Sequence, residues 1–574
     1  MKLYKLSLAL FLGFGAMSMT SCEDKLEVTN PNEQTTGTFG FTSDDLEECV
    51  IAAYHDLRME GSTGRVGYTI DAVRGDEVWN SSQVWYMPFD DMNDPVTDEI
   101  SFWPWREYYY AINVCNFILS RTTGDNAQLS ESMKRIKGQA LFIRGFAYYN
   151  LVGYYKDVPL ITDYSTYSSL DGLYGANNTS DEVLDQAEKD LKEAMELLPN
   201  RQAGGEWAKG RATCGAAAGY YARTLMFRHK YSEALEVLKD IIGGTKYGKY
   251  KLMANYGDNF REGSAYENND ESLFEVQYLD YGTQGVDDEW TPVNVSPNAT
   301  QGHAVESNFA PGDFGGWADL SASPWLYNLF KEERTTAGKL DPRLYWTLGT
   351  YEKEWEGFEN GNVAYTKKIT ATDTLRTNNN YGGIPIAKWT NMRTGLYSSV
   401  ATGLRCGINL RMMRYSDVLL RAAECENEVN GPTEQAIKWI NEVRQRAGLA
   451  DLKLEDFNTK DKLFEQIANV ERPKEFGCEN GRGMDLIRWG FFYDNGRLDQ
   501  LKEHGTFYKN KTIDVKTPVT YAQTKTDPEN VKSSYDTYLP GHEFLPIFQT
   551  LLNNNPNLKG NSANDGIDNS TDFF

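Results

Sequence analysis

Apolar positions recur along much of this chain at the three-to-four-residue spacing of a helix face. The spacing begins at "TSDDLEECVIAAYHDLR", where Thr42 or Ser43 can cap and acids fill the first turn. A second helix reads from "PWREYYYAINVCNFILSR", with Pro104 in its first turn. Further on, "TSDEVLDQAEKDLKEAMELLPN" sets Ala187, Leu191, Ala194 and Pro199 at the small, large, small, proline offsets of a tetratricopeptide second helix. Small residues there let neighbouring helices approach closely. Ala222, Ala234, Leu238 and Ile241 repeat the phase, and so do Ala436, Ile440 and Val443 after the turn at Gly431-Pro432. The pair 42–59 and 104–120 reads as a first unit. The predicted architecture is therefore mainly α: about four helix pairs of a tetratricopeptide-like scaffold, with large irregular insertions.

Two stretches break the pattern. Residues 65–103 are dense in Trp, Tyr, Asp and Asn and read as irregular. An insertion of that length between paired helices tends to be functional. Residues 245–405 are rich in Gly, Asn, Asp and Trp, with only short strand-like runs such as "SLFEVQYL" and "YTKKIT". The expected organisation is an N-terminal region 41–244, a loop-rich insertion 245–405, and a C-terminal region 406–574 carrying the fourth helix pair.

The N-terminus has a different pattern. Lys2 and Lys5 precede the apolar run "LSLALFLGFGAM", which is too short to span about 30 Å of hydrocarbon and has the layout of a secretory leader. Met19-Thr20-Ser21-Cys22 is a loose lipobox, so residues 1–21 are expected to be removed and Cys22 to be acylated. Several acyl chains, at about 0.8 kcal/mol per buried methylene, hold a soluble body at a bilayer. Residues 22–40 read as a polar tether.

Charge narrows the partners. The chain has 574 residues and a net charge of −24, and the leader removes two lysines and no acid. Nucleic acid and anionic membrane surfaces would be repelled. Six cysteines besides Cys22 are widely spaced and read as small buried hydrophobes. The five histidines show no metal-ligand spacing, and no cofactor is expected, although acidic and Asn-rich loops leave a structural calcium open.

Three strings carry a resemblance. They are "IKGQALFIRGFAYYNLVGYYKDVPL" (136–160), "RYSDVLLRAAECENEVNG" with "IANVERPKEFGCENGRGMDLIRWG" (467–490), and "HEFLPIFQTLLNNNPNLKGN". Together with the lipobox they resemble the SusD/RagB family of outer-membrane nutrient-binding lipoproteins across the mature chain. Phe548 departs from the proline usual after "LPI" and should alter only a local turn. Glu23-Asp24 resembles an acidic surface-export signal. The resemblance implies a cell-surface lipoprotein that captures oligosaccharide and passes it to a SusC-type TonB-dependent transporter, without covalent chemistry. Arg472, Glu475, Glu479, Arg482, Asp485 and Arg488 could be taken for a catalytic cluster, but their spacing suits a self-neutralising brace.

A sugar ring needs a flat aromatic against its C–H face and polar groups at its rim. "RGDEVWNSSQVWYMPFDD" supplies both. Trp79, Trp85 and Tyr86 are the stacking candidates, with Arg74, Asp76, Asn80 and Gln83 as polar partners. Tyr281, Trp290 and Trp317 are candidates for a second wall, while Trp103 and Trp105 are assigned to helix packing. Peptide capture through backbone hydrogen bonds is the alternative ligand class. A pure interaction scaffold is another reading. A glycosidase would need one carboxylate pair held around a bond, and no pair stands out.

Overall fold

The computed structural model describes residues 42–81, 83–169, 174–279, 302–350, 383–393, 406–509 and 517–561, with isolated positions 172, 352, 354 and 563. Helix α1 (Ser43–Leu57) opens with a capping box: Asp45 N–H donates to Thr42 Oγ1, and Thr42 N–H donates back to the Asp45 carboxylate. Such a cap contributes about 1 kcal/mol. The next element corrects an expectation. Residues 65–73, read as irregular, form helix α2 (Arg65–Val73) with all nine residues buried. Its nine residues include Gly67 and the β-branched Val66, Thr69, Ile70 and Val73, and no side chain caps its start, so its local helix signals are weak. Gly67 allows this depth, because a Cβ there would sit 2.2 Å from the Ser62 carbonyl oxygen.

Strand β1 (Val78–Asn80) follows, then α3 (Trp103–Arg121), α4 (Glu131–Tyr155), α5 (Ser180–Leu197), α6 (Cys214–Phe227) and α7 (Tyr231–Gly243). Beyond these lie β2 (Ser272–Val276), β3 (Leu320–Ala322), β4 (Leu410–Arg414), α8 (Tyr415–Asn430) and α9 (Glu434–Arg446). The helices α1, α3, α4, α5, α6, α7, α8 and α9 each pack on the next, so α8 docks on α7 although residues 244–414 intervene. The four pairs expected from the spacing are present. Ala187, Leu191, Ala194, Ala222, Ala234, Leu238, Ile241, Ala436, Ile440 and Val443 are all fully buried.

Close helix approach has a visible cause at α4 and α5. A Cβ on Gly145 or Gly138 would lie 2.8 Å from a leucine Cγ of Leu191 or Leu198. Arg144 of α4 also grips Asp190 of α5 through two bonds of 2.7 and 2.8 Å. Trp103 and Trp105 are buried at the start of α3, where Trp105 packs edge-on against Tyr155. Cys49, Cys115, Cys214, Cys406, Cys425 and Cys478 are free and buried. Phe548 stacks on Phe102 at 5.4 Å and precedes a short helical turn, Gln549–Asn554. The run "SLFEV" is β2, paired antiparallel with β4, whereas "YTKKIT" lies outside the described residues.

Candidate functional site

Strand β1 belongs to the first insertion and β3 to the second, and the two pair antiparallel with Val78 opposite Ala322 and Asn80 opposite Leu320. That register runs the chain leaving β1 past the chain entering β3, and Ser81 N–H donates to the Asp319 carbonyl at 2.8 Å. Residues 83–87 and 315–319 therefore meet over the N-terminus of α2. Gly315 turns with φ +84°, and Gly316 passes so close to the Ala310 carbonyl oxygen that a Cβ would lie 2.0 Å away. Trp317 is then fixed by its N–H, which donates to the Ser307 carbonyl at 2.6 Å.

Between the two loops lies Arg65. Its guanidinium is 5.2 Å from the Trp85 ring centre and 5.4 Å from that of Trp317. Its Nε donates to the Glu60 carboxylate at 3.2 Å. A guanidinium flanked by two electron-rich indoles gains cation–π attraction, and more so when shielded from water. Trp85 also rests on Tyr86, with ring centres 3.8 Å apart. Trp317 remains 37 % exposed, and Val84 and Met87 stand exposed on the Trp85 side. The result is a partly open surface of indole and aliphatic groups backed by a buried cation. Nothing local in the sequence singles out Arg65, because its partners reach it through the β1–β3 pairing.

Apart from Gln83, the other candidates of the first insertion are buried, which corrects the open positions expected of them. Trp79 is 2 % exposed: its ring stacks on Phe507 at 4.0 Å and its Nε1 donates to the Ala322 carbonyl. All three residues of β1 are buried, so neither face of the strand opens to solvent. Tyr86 is fully buried, with its hydroxyl bonded to Thr69 and Asn308, and burial pushes the phenol up despite nearby Arg65. Arg74 is held by Asp94 at 2.7 Å and by the His542 carbonyl. Asp76 is clasped by Arg482 through bonds of 2.7 and 2.8 Å and by His504 at 2.8 Å. Burial alone would raise the Asp76 carboxyl, but Arg482 and His504 outweigh it and hold it far below the usual range. The Asn80 side chain closes a turn onto the Gln83 backbone, leaving Gln83 half-buried. Trp85 and Trp317 are brought together; Tyr281, Trp290 and Cys22 lie outside the described residues.

The charged stretch near the C-terminus is a buried cage. Helices α10 (Arg472–Phe476) and α11 (Arg482–Arg488) feed it. Arg414, at the end of β4, donates to Glu271 at 2.6 Å, Glu475 at 2.9 Å and Glu479 at 2.7 Å. Burial opposes ionisation of Glu475, yet Arg446, Arg414 and Arg343 together keep its carboxyl far below normal. Arg472 bridges Asp417 and Asp485, and Arg488 joins Asp485 to Glu424. The cage ties β2, β4 and α8 to the C-terminal helices. Among the described residues, no group of His, Cys, Asp and Glu is arranged to hold a metal ion.

Fold and geometry together define a helical-repeat scaffold whose insertions carry a partly open aromatic surface. The family model described as "SusD family" matches residues 270–564, and one described as "Starch-binding associating with outer membrane" matches residues 24–226. The chain belongs to the SusD family, as the sequence strings implied. It is 25 % identical over 572 residues to SusD-like protein P25 of Formosa agariphila, covering 93 % of this chain and 98 % of that one. SusD-like protein P2 of the same organism is 24 % identical over 506 residues, 85 % of this chain and 91 % of the relative. A SusD superfamily protein from Bacteroides vulgatus superposes with a TM-score of 0.70 at 24 % identity, covering 92 % of this chain and all of the other. Surface glycan-binding protein A from Bacteroides thetaiotaomicron, solved in complex with laminarihexaose, superposes with a TM-score of 0.63 at 22 % identity, over 90 % of this chain and 99 % of that one. Among the described residues no helix is long and apolar enough to cross a membrane.

Proposed function

We propose that this chain is a cell-surface lipoprotein that binds oligosaccharide and delivers it to a SusC-type TonB-dependent transporter in the outer membrane. The observation that carries the reading is the Trp85–Arg65–Trp317 stack, with Trp317 open to solvent. An indole face covers the C–H face of a pyranose, and the buried guanidinium beneath keeps both rings from collapsing onto each other. Polar groups at the rim then select hydroxyls, Gln83 being the candidate that remains half-exposed. The protein itself acts by binding: its densest cluster of acids and bases is spent internally on ion pairs. The family description of association with the outer membrane supports anchoring through acylated Cys22, with Glu23-Asp24 directing surface export. A glycan array run beside a peptide mixture tests the ligand class. Retention of oligosaccharides, lost in Trp317→Ala, is the expected result; retention of peptides alone overturns it. Co-purification of a barrel partner tests delivery, and loss of palmitate labelling in Cys22→Ser tests the anchor.

A further inference from the structure

A cleft of about 340 Å³ opens between the 201–211 loop and strand β2, lined by Arg201, Lys209, Arg211, Thr213, Tyr250 and Phe274 among others. It shares no residue with the Trp85–Arg65–Trp317 surface. Its size is that of a site for a ring-sized ligand. The loop is fixed in shape by its own bonds. Asn200 caps its first turn by accepting from Ala203 N–H at 2.8 Å, Gly205 and Gly210 turn with φ +55° and +75°, and Gly210 N–H donates to Asn268 Oδ1 at 3.0 Å.

The cleft is cationic in a chain whose net charge is −24. Arg201 Nη1 and Nη2 donate to the main-chain carbonyls of Asn269 at 2.8 Å and Asn268 at 3.1 Å, and the guanidinium lies 5.3 Å from the Tyr250 ring centre. Carbonyls orient a guanidinium without cancelling its charge. The nearby carboxylates are taken by other cations: Glu206 meets Lys209 at 2.8 Å, Glu47 meets Arg211, and Glu275 lies 3.8 Å from Arg411. Asp270 is half-exposed and stands 3.1 Å from Lys251 against 3.8 Å from Arg201, so its hold on Arg201 is weak. Thr213 is the N-cap of α6, and that helix end adds partial positive charge at the wall. Leu273 and Phe274 supply an apolar wall, with Gln202 and Ser272 as polar neighbours.

We propose that this cleft is a second saccharide site, one that reads an isolated uronate carboxylate on an otherwise neutral chain. Arg201 supplies a preset charge, and the exposed Lys209 supplies an ammonium from the rim. The apolar wall takes the C–H face of the sugar ring. A polymer dense in carboxylates would be repelled by the acidic body as a whole, whereas a single one is not. That ligand class rests on the oligosaccharide reading above, which the cleft extends from neutral to acidic sugars.

Titration of the mature chain with methyl β-glucuronide and methyl β-glucoside, followed by saturation-transfer NMR, tests the site. The uronide should bind about tenfold more tightly than the glucoside. Trp317→Ala should leave that preference intact, Lys209→Ala should reduce it, and Arg201→Gln should abolish it. Where Arg201→Gln does not fold, a crystal of the parent chain soaked in the uronide decides: a carboxylate beside Arg201 supports the site, and a uronide seated only on Trp317 overturns it. Equal affinity for the two glycosides, or displacement of the uronide by acetate at equal concentration, also overturns it. Neutral oligosaccharides retained on the glycan array alongside that outcome would leave the aromatic surface standing without the cleft.

Discussion

Arg65 and Arg414 are both buried guanidiniums, and what surrounds each separates the two specialised regions of the molecule. Arg414 meets carboxylates on every side: Glu271, Glu475 and Glu479 accept from it, and Ser416 takes a further bond. Its capacity is exhausted by the protein. Arg65 donates to the Glu60 carboxylate and lies against two indole faces, one of which still reaches solvent. A cation ringed by carboxylates organises a core, whereas one flanked by rings backs an aromatic surface that reaches solvent. Both regions are rich in Arg, Asp, Glu and Trp, so composition alone does not tell a brace from a binding surface.

The sharpest way to break this contrast is Arg414→Met. Three buried carboxylates would lose their shared partner, and urea unfolding should record a loss of about 4 kcal/mol. A loss under about 1 kcal/mol would mean that the cage does not brace the fold. Trp79→Ala is next: truncating a core indole should cost about 3 kcal/mol in the same measurement, with glycan affinity per folded molecule unchanged. A weakened affinity at full stability would return Trp79 to the ligand surface.

The smallest effect is pH-dependent and lies at the base of the same insertion. Burial, reinforced by Asp91, pushes the Asp90 carboxyl up to about 7, although Ser534 and the Asn80 N–H, which donates to one of its oxygens, oppose the shift. The unfolded chain gives up this proton near pH 4, whereas the native one holds it to about pH 7. The group's contribution to stability is therefore full below pH 4 and lost as pH rises to 7. Asp90→Asn mimics the protonated acid, so its Tm advantage over the parent chain should grow between pH 4 and 7 and level off above. A constant difference across that range would contradict the assignment.

Much of the scaffold was legible because its information is local. Alanine spacing, the Thr42 cap and the Gly431-Pro432 turn all act within a few residues, and the helices they imply are present. The bracing role of 472–488 was legible in its alternating signs, but not its partners: only Asp485 pairs within the stretch, with Arg472 and Arg488, whereas Glu475 and Glu479 meet Arg414 and Arg482 meets Asp76. Helix α2 was not legible, because it is short, lacks a side-chain cap and is rich in β-branched residues and glycine. Site residues fared worst for another reason. Whether Trp79 or Trp85 faces water depends on β3, whose residues lie about 240 positions away along the chain, and the partners of Arg74 and Asp76, namely His542, Arg482 and His504, come from the C-terminal region. Aromatic density singled out the first insertion and could not say which of its rings turn outward.

The central claim is that Trp85 and Trp317, rather than their buried neighbours, form the ligand platform. Isothermal titration of the double variant Trp85→Ala/Trp317→Ala, using the oligosaccharide most strongly retained by the parent chain on the array, tests it. At least a tenfold loss of affinity, equivalent to about 1.4 kcal/mol, with cooperative unfolding preserved, is the predicted result. Unchanged affinity in a folded double variant would contradict the account.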